Sequence, residues 1–354
     1  MISGIVFILN IFFAVISLVF FYSVEISPKE FWLAGFMSWI CPFLIVLNFL
    51  FIVFWLAFRP LRALLSLAIL IWGFDFIIRT FSVHPFAEKT TSNIKVLSYN
   101  TRIFNVYDHL KNDNYQSSKD MIEWLLNSDA DLLLLQEFYD EKKSSTFNVH
   151  EKFSAKYPYH HVSYTVKNEN DGKFGMAIYS KFAIINKGSI LKRGENNQTL
   201  FVDILAGKDT LRVYNFHLHS MSINDAELVD NVTKSKDPIL GLKHFNTLKD
   251  GFAKKAEQLD EICAHIDTCR FATLVACDLN DTPYSYCYET LSERLENSFE
   301  EAGMGFGITY NGRIPFLRID NQFFSTQLNC EKFITYDQIT FSDHFPIEGY
   351  YSWE

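Results

Sequence analysis

Positive charge is scarce in this chain, charge of either sign is scarce at its start, and closely spaced cysteines are missing. Its 354 residues carry 32 Lys and Arg against 41 Asp and Glu, a formal net charge of −9. Residues 1–88 hold only Lys29, Arg59, Arg62 and Arg79 against Glu25, Glu30, Asp75 and Glu88. Those cancel, so the whole imbalance falls on the rest of the chain. No basic run there exceeds two residues, as at Lys142-Lys143 and Lys254-Lys255. Nucleic-acid binding draws affinity from phosphate neutralisation by Lys and Arg, so this balance disfavours long duplex DNA as a ligand. The six cysteines, Cys41, Cys263, Cys269, Cys277, Cys287 and Cys330, form no C-x-x-C pair, which argues against a zinc site. They read as small buried apolar residues and specify no disulfide. The opening stretch has neither a basic n-region nor a small-x-small cleavage site, so it does not read as a secretory signal peptide.

What is present is apolar and aromatic: 49% hydrophobic residues and 35 Phe. Three apolar runs stand at the start: Ile2 to Val24, Phe31 to Phe58 with Pro42 as a kink, and Leu61 to about Ile78. A helix needs about 20 such residues to cross a bilayer, so three transmembrane helices are expected. The one basic short loop, Arg59 to Arg62, belongs in the cytoplasm by the positive-inside rule. That places the N-terminus inside, the Glu25–Glu30 loop outside, and everything after the third span outside, on the periplasmic side of an inner membrane. Asp75 and Arg79 are spaced four apart and are expected to pair. The chain divides into a membrane anchor (1–83), a short polar linker (84–92) and a soluble domain (93–354) that the linker keeps close to the lipid surface.

The soluble domain is organised around VACDLNDTPYS, 275–285. A buried strand ends there in Asp278 and, two residues on, Asn280, which leave the same face. A buried carboxylate is costly unless it has a partner or a task. The pattern recurs: IKVLSYNTR (94–102) ends in Asn100 and Arg102, DLLLLQE (131–137) in Gln136-Glu137, and LRVYNFHLHS (211–220) carries Asn215 and His217. FLRIDNQFF (316–324) carries Arg318 and Asp320, and ITFSDHFPI (339–347) carries Asp343-His344. Six candidate strands that each deliver polar groups near one end point to a single site at the rim of a sheet core. Helices over Ser117–Asn127 and Ala253–Ile266, with hairpin-like segments between 174 and 216, indicate α/β construction. His219 to Gly251 reads as a long polar loop able to overhang the site. Its Ile239, Leu240, Leu242 and Phe245 either touch membrane or form a short helix.

The ordered set N-x-R, Q-E, G-M-A-I-x-S-K, N-x-H-L, D-L-N-D-T-P-x-S, R-I-D and S-D-H-F-P-I, over roughly 93–352, resembles the endonuclease/exonuclease/phosphatase superfamily. That resemblance implies a four-layer α/β/β/α sandwich (DNase I-like), here preceded by three transmembrane helices, and metal-dependent hydrolysis of phosphate esters. Such chemistry needs a hard cation on the phosphate oxygens, a directed water and stabilisation of developing charge. Mg²⁺, with Mn²⁺ as the alternative, is the expected ion. Glu137 is the principal metal ligand, with Asn100 beside it and Asp343 on the metal side. Asp278 orients or activates the water. His344 acts as general base or phosphate stabiliser, oriented by Asp320, and His217 flanks the phosphate. Asn280, Asn215 and Arg102 bind substrate. Which of Asp278 and His344 takes the proton stays open. The chain departs from many relatives in having Lys255-Ala256-Glu257-Gln258 for R-x-x-Q, Phe138-Tyr139 after Q-E, and Asn321-Gln322 after R-I-D. Together these turn the expectation away from a nuclease. A phosphoesterase acting on a phospholipid head group or small phosphodiester comes first. An extracytoplasmic nuclease and an inactive membrane scaffold are the alternatives. No partner protein is evident.

The topology has a direct test. A reporter active only outside the cytoplasm should be active when fused after Glu354 and silent when fused at Arg62; the reverse pattern would overturn the orientation.

Overall fold

The computed structural model describes residues 2–85, 93–108, 114–169, 171–190, 199–220 and 238–354, with side chains described throughout except at 2 and 238–244. The expected linker (84–92) therefore falls mostly outside the described residues, as do the middle of the 219–251 loop and the side chains of Ile239, Leu240, Leu242 and His244.

The anchor consists of α1 (Ile2–Ser23), α2 (Leu33–Met37), α3 (Cys41–Phe58), α4 (Ala63–Trp72) and α5 (Phe74–Thr80). α1 and α3 are long and apolar enough to cross a membrane. The third run is not one straight helix: Pro60–Trp72 and Phe74–Thr80 meet at 69° across Gly73 and make a third span only if the bent pair is counted as one. Gly73 sits under the Phe21 ring, where a Cβ would come within 2.4 Å of a ring carbon. Pro42 does not kink α3 but occupies its first turn, where a missing N–H leaves no bond unmade. Side-chain bonds pin the helices together: Asn10 Nδ2 to Ser66 Oγ (2.7 Å), Trp55 Nε1 to Asn10 Oδ1 (2.9 Å) and Asn48 Nδ2 to Ser17 Oγ (2.8 Å). Asp75 and Arg79 do not pair. Arg79 is drawn instead to Glu289, 2.6 Å away in the soluble domain, while Asp75 stays exposed.

A two-residue strand, β1 (Ser82–Val83), follows the anchor. Then come β2 (Ile94–Asn100), α6 (Gln116–Asn127), β3 (Leu132–Asp140), α7 (Val149–Lys156), β4 (Tyr159–Lys167), β5 (Lys173–Ser180), β6 (Ile184–Ser189), β7 (Thr199–Ala206) and β8 (Asp209–His217). The second half holds α8 (Pro238–Asp267), β9 (Ala272–Asp278), α9 (Tyr286–Ser292), β10 (Glu296–Asn297), α10 (Ser298–Ala302), β11 (Met304–Gly305), β12 (Asp320–Phe324), β13 (Leu328–Thr335) and β14 (Ile347–Trp353). Two six-stranded sheets result, ordered β13-β14-β2-β3-β5-β4 and β10-β12-β9-β8-β7-β6. Only β2·β3 and β8·β9 run parallel; the other pairs are antiparallel.

The layering follows from strand periodicity. Leu132 and Leu134 of β3 join Leu200, Val202, Leu211 and Leu274 in a core between the two sheets. Leu133 and Leu135 face the other way, against Met121, Ile122 and Leu125 of α6 and Phe153 of α7. Val275 and Cys277 of β9 pack outward on Leu259, Ile262 and Cys263 of α8 and Leu291 of α9. Helix, sheet, sheet, helix is the expected four-layer sandwich. Three boundaries differ from expectation. The helix read as starting at Ala253 starts at Pro238, because Phe245 and Phe252 pack on Phe36 of the anchor. Residues 316–319 precede the strand rather than form it. Around His344 there is a turn with one isolated bridge to Tyr310, since Pro346 has no N–H to donate.

Two buried amides tie the sheets to each other. Asn215 of β8 donates Nδ2 to the carbonyls of Leu135 (3.2 Å) and Ala177 (3.0 Å) across the interface, and its Oδ1 accepts Gln136 Nε2 (2.7 Å). Gln322 of β12 donates to Val96 O at 3.0 Å and accepts the Tyr351 hydroxyl at 2.7 Å. Each buried group left unpaired costs about 1–3 kcal/mol. Asn215→Leu strands two carbonyls and an amide and is expected to destabilise the full chain by about 3 kcal/mol or more, read as a lowered melting temperature in detergent. A melt superimposable on wild type would show that the bridge contributes nothing.

Candidate active site

Asp278, the last residue of β9, is the centre of the site. It is fully buried and has a neighbour on each side in the sheet: Asp320, its register partner on β12, and His217, its partner on β8. From the facing sheet comes Asn100, the last residue of β2. Its Nδ2 donates to Asp278 Oδ2 at 2.9 Å and to Glu137 Oε1 at 3.2 Å.

Glu137 reaches this point because its strand is bulged. Leu135 pairs with Ala177, but Phe138 pairs with Gly175, so Gln136 and Glu137 together oppose one residue. Glu137 takes φ +47°, in the left-handed region that costs a non-glycine residue about 1–3 kcal/mol. The bulge re-aims its side chain out of the core. Asn280 is strained in the same sense, at φ +48°. Its N–H donates to Asp278 Oδ1 (2.9 Å) and its Nδ2 to Leu218 O (3.1 Å). The chain past Asn100 also turns left-handed, with positive φ at Arg102, Ile103, Phe104 and Asn105.

His344 is buried and held from three directions. Its Nδ1 lies 2.8 Å from Asp320 Oδ2, its Nε2 3.9 Å from Asp278 Oδ2, and its ring meets Tyr310 edge-on at 5.4 Å. Burial alone would lower the imidazole pKa. The carboxylates of Asp320 and Asp278 outweigh it and push the pKa up to about 10, so His344 rests as an imidazolium. His217 Nε2 stands 3.5 Å from Asp278 Oδ2 and 4.0 Å from Glu137 Oε1.

Two sets of groups suggest themselves for a cation. Asp278, Asp320 and His344 bring ligand atoms within 4.8 Å of one another. In that set the Nδ1 of His344 is already committed to Asp320, and an imidazolium is no ligand. Glu137 and the Asp278 oxygen on the same amide offer carboxylate oxygens, with the Asn100 Oδ1, which accepts the Arg102 N–H at 3.1 Å, on the other side of that amide, and Glu137 is partly exposed where a cation would enter. This donor set fits a hard divalent ion that keeps several waters.

The expected residues thus converge with two exceptions. Asn215 is fully buried and spends its amide on the opposite sheet, so it bridges the sheets from within the core. Asp343 faces Arg102, with Oδ2 3.5 Å from Nε, and accepts the Ser342 hydroxyl at 3.2 Å. Its charge faces the guanidinium and not the Asn100, Glu137 and Asp278 contacts. Arg102 remains half-exposed beside it.

Several supporting residues gave no readable signal in the sequence. Ser342 Oγ donates to Asn100 O at 2.9 Å and accepts the N–H of His344. Thr309 Oγ1 accepts the N–H groups of Ile319 and Asp320, both at 3.0 Å. Lys255 is no surface cation: it is buried with Nζ 2.5 Å from Asp281 and 2.9 Å from Asn280 O, pinning the turn after Asp278. Burial raises the Asp281 carboxyl, against the pull of Lys255. The K-A-E-Q segment shows its purpose here, since Gln258 Oε1 accepts the His219 N–H from the next turn of the same helix.

Comparison with known proteins agrees with this fold. The chain is similar in fold to an endonuclease/exonuclease/phosphatase from Beutenbergia cavernae (15% identity, TM-score 0.52, covering 73% of this chain and 71% of that one). It is also similar to the catalytic domain of human Nocturnin with bound sulfate (14%, 0.53, 77% and 97%) and to the mannosyl-6-phosphatase Bt3783 of Bacteroides thetaiotaomicron (16%, 0.50, 73% and 100%). No curated protein sequence matches it. Residues 3–80 match a family described as a domain of unknown function. Residues 97–344, well over half of the chain, match the Endonuclease/Exonuclease/phosphatase family. The chain therefore belongs to that family of metal-dependent hydrolases of phosphate esters.

Proposed function

We propose that this chain is a membrane-anchored phosphoesterase that uses Mg²⁺, with Mn²⁺ as a substitute, and hydrolyses a phosphate ester of a lipid head group at the extracytoplasmic face of the membrane. The observation that carries this reading is the grip of the anchor on the catalytic domain. Lys29 Nζ lies 2.6 Å from Asp260, Arg79 Nη1 2.6 Å from Glu289, and the Phe36 ring stacks on Phe245 at 5.1 Å. A domain held this closely meets head groups at high effective concentration without a basic surface. Its acidic balance offers nucleic acid no long-range attraction. The orientation is supported by the ends of the bundle. Arg62 donates to Ser3 O at one end, while Lys29 and Arg79 reach the domain at the other.

In this reading Asn100 and Glu137 hold the cation, which neutralises charge on the phosphate oxygens. Asp278 receives the proton of the attacking water. His344, kept cationic between Asp320 and Asp278, holds a phosphate oxygen and supplies a proton toward the leaving group. His217 sits between Asp278 and Glu137 and stabilises the phosphate from the other side. Asn280 and Arg102 orient it.

The reading is tested with the full chain in vesicles, supplied with Mg²⁺ and offered phospholipid, a soluble phosphodiester and plasmid DNA in parallel. Lipid turnover should lead and stop on chelation. Faster plasmid cleavage would make the chain a nuclease, and no turnover on any substrate would make it a scaffold. Glu137→Gln should raise the metal concentration for half-maximal turnover by more than about 100-fold, since losing even an outer-shell partner costs about 10- to 100-fold. Unchanged metal dependence would remove Glu137 from the ligands.

His344→Ala should cost about 10²- to 10⁴-fold in turnover, the scale of a positioned acid or base. Asp320→Asn should cost less, because the imidazole remains and loses only its orienting charge. Melting curves recorded alongside separate chemistry from unfolding. A folded His344→Ala protein with near wild-type turnover would sink the assignment.

A further inference from the structure

The short ribbon formed by β1 and β11 has a face that the fold leaves uncovered. Ser82 is opposite Gly305 and Val83 opposite Met304. The Ser82 side turns inward, with Ser82 itself buried. The other side presents Phe81, Val83, Met304 and Phe306, which remain 45%, 59%, 54% and 57% exposed. Phe81 and Phe306 flank the paired residues and pack edge-on at 5.0 Å. Two alternating strands thus build one apolar face from four residues, as strand periodicity requires.

Both ends of the ribbon say what covers it. Phe81 follows α5 directly, so the apolar face continues the end of the apolar helices, where Phe74 of α5 and, before the break at Gly73, Ile71 and Trp72 of α4 are also exposed. At the other end, Phe306 lies three residues before Thr309, whose hydroxyl holds the N–H of Asp320, and four before Tyr310, whose ring touches His344. The same segment, returning toward Asp320, carries Phe316, 79% exposed and at φ +64°. A bulky residue held in that conformation costs free energy, and its ring is turned to solvent. Exposed apolar surface continuous with membrane helices fits the boundary between head groups and acyl chains, where aromatic rings concentrate.

We propose that the β1·β11 ribbon lies in the phospholipid interface and seats the mouth of the active site against the leaflet, so that a lipid-borne phosphate ester enters sideways from the bilayer. The occupant of the apolar face is the leaflet itself. The route for substrate rests on the reading of function given above; the contact with lipid does not.

The deciding experiment uses the full chain in phospholipid vesicles with photoreactive benzoylphenylalanine in place of Phe306. A control carries it in place of Ile185, which is 55% exposed on β6, the far edge strand of its sheet. Irradiation should give lipid adducts from position 306 and none from 185. Adducts to another protein, no adduct at 306, or equal lipid labelling at both positions would overturn the proposal. A second measurement uses Met304→Ser with Phe306→Ser. The pair should raise KM for a vesicle-borne phosphate ester about tenfold and leave kcat/KM on a soluble diester unchanged. Parallel losses on both substrates would mean that the ribbon only supports the fold. If the wild-type chain hydrolyses the soluble diester but no vesicle-borne ester, the lipid substrate fails, and the adduct at 306 still decides the ribbon.

Discussion

Two carboxylates that face each other in a buried place set the terms for the rest of this molecule. Asp278 and Asp320 are register partners at adjacent strand ends and are both almost without solvent. Left alone, one of them would take up a proton. The surroundings answer this with positive or donating groups on every side: His344 between the two, His217 from the next strand, Asn100 from the opposite sheet, and the N–H of Asn280. Each donor comes from a different segment. The site is assembled only when both sheets are in register, and the buried amides of Asn215 and Gln322 hold that register from within.

How much of this the sequence discloses depends on where each interaction lies. The strand ends were legible because alternating apolar residues run straight into polar ones, as at Asn100, Glu137, His217 and Asp278. The anchor was legible from bare hydrophobicity. What was hidden is what local pattern does not encode. Asn215 looks like a site residue, being two positions from His217 on the same strand, yet it sits one step deeper, where the sheets meet. Asp343 stands beside His344, but adjacent residues point different ways, and Arg102 claims it. Thr309 and Ser342 act through single hydroxyl groups across long stretches of chain. The break at Gly73 depends on the Phe21 ring, which comes from another helix. Lys255 reads as surface charge until Asp281 is seen beneath it.

The anchor and the catalytic domain share one packing system. Tyr284, six residues past Asp278, belongs to the same apolar cluster as Phe21, Cys41 and Phe76, and its hydroxyl meets Thr80 Oγ1 at 2.6 Å. Arg318, two residues before Asp320, donates to the carbonyl of Arg79 at 2.7 Å. The turn after Asp278 and the approach to Asp320 are therefore both fastened to the end of the last of the N-terminal apolar helices.

The pairing of β1 with β11 also fixes an order of events in synthesis. Ser82 leaves the last apolar helix early in translation, but its partner Gly305 is made more than two hundred residues later. Long-range pairings of this kind pay their loop entropy before any contact repays it. The apolar helices are accordingly made first and wait with an open strand edge. Only when β11 has been made and α10 is in place can the edge close. The joint between the apolar helices and the α/β domain is thus among the last parts of the molecule to form, and an unfinished chain exposes it for most of its elongation.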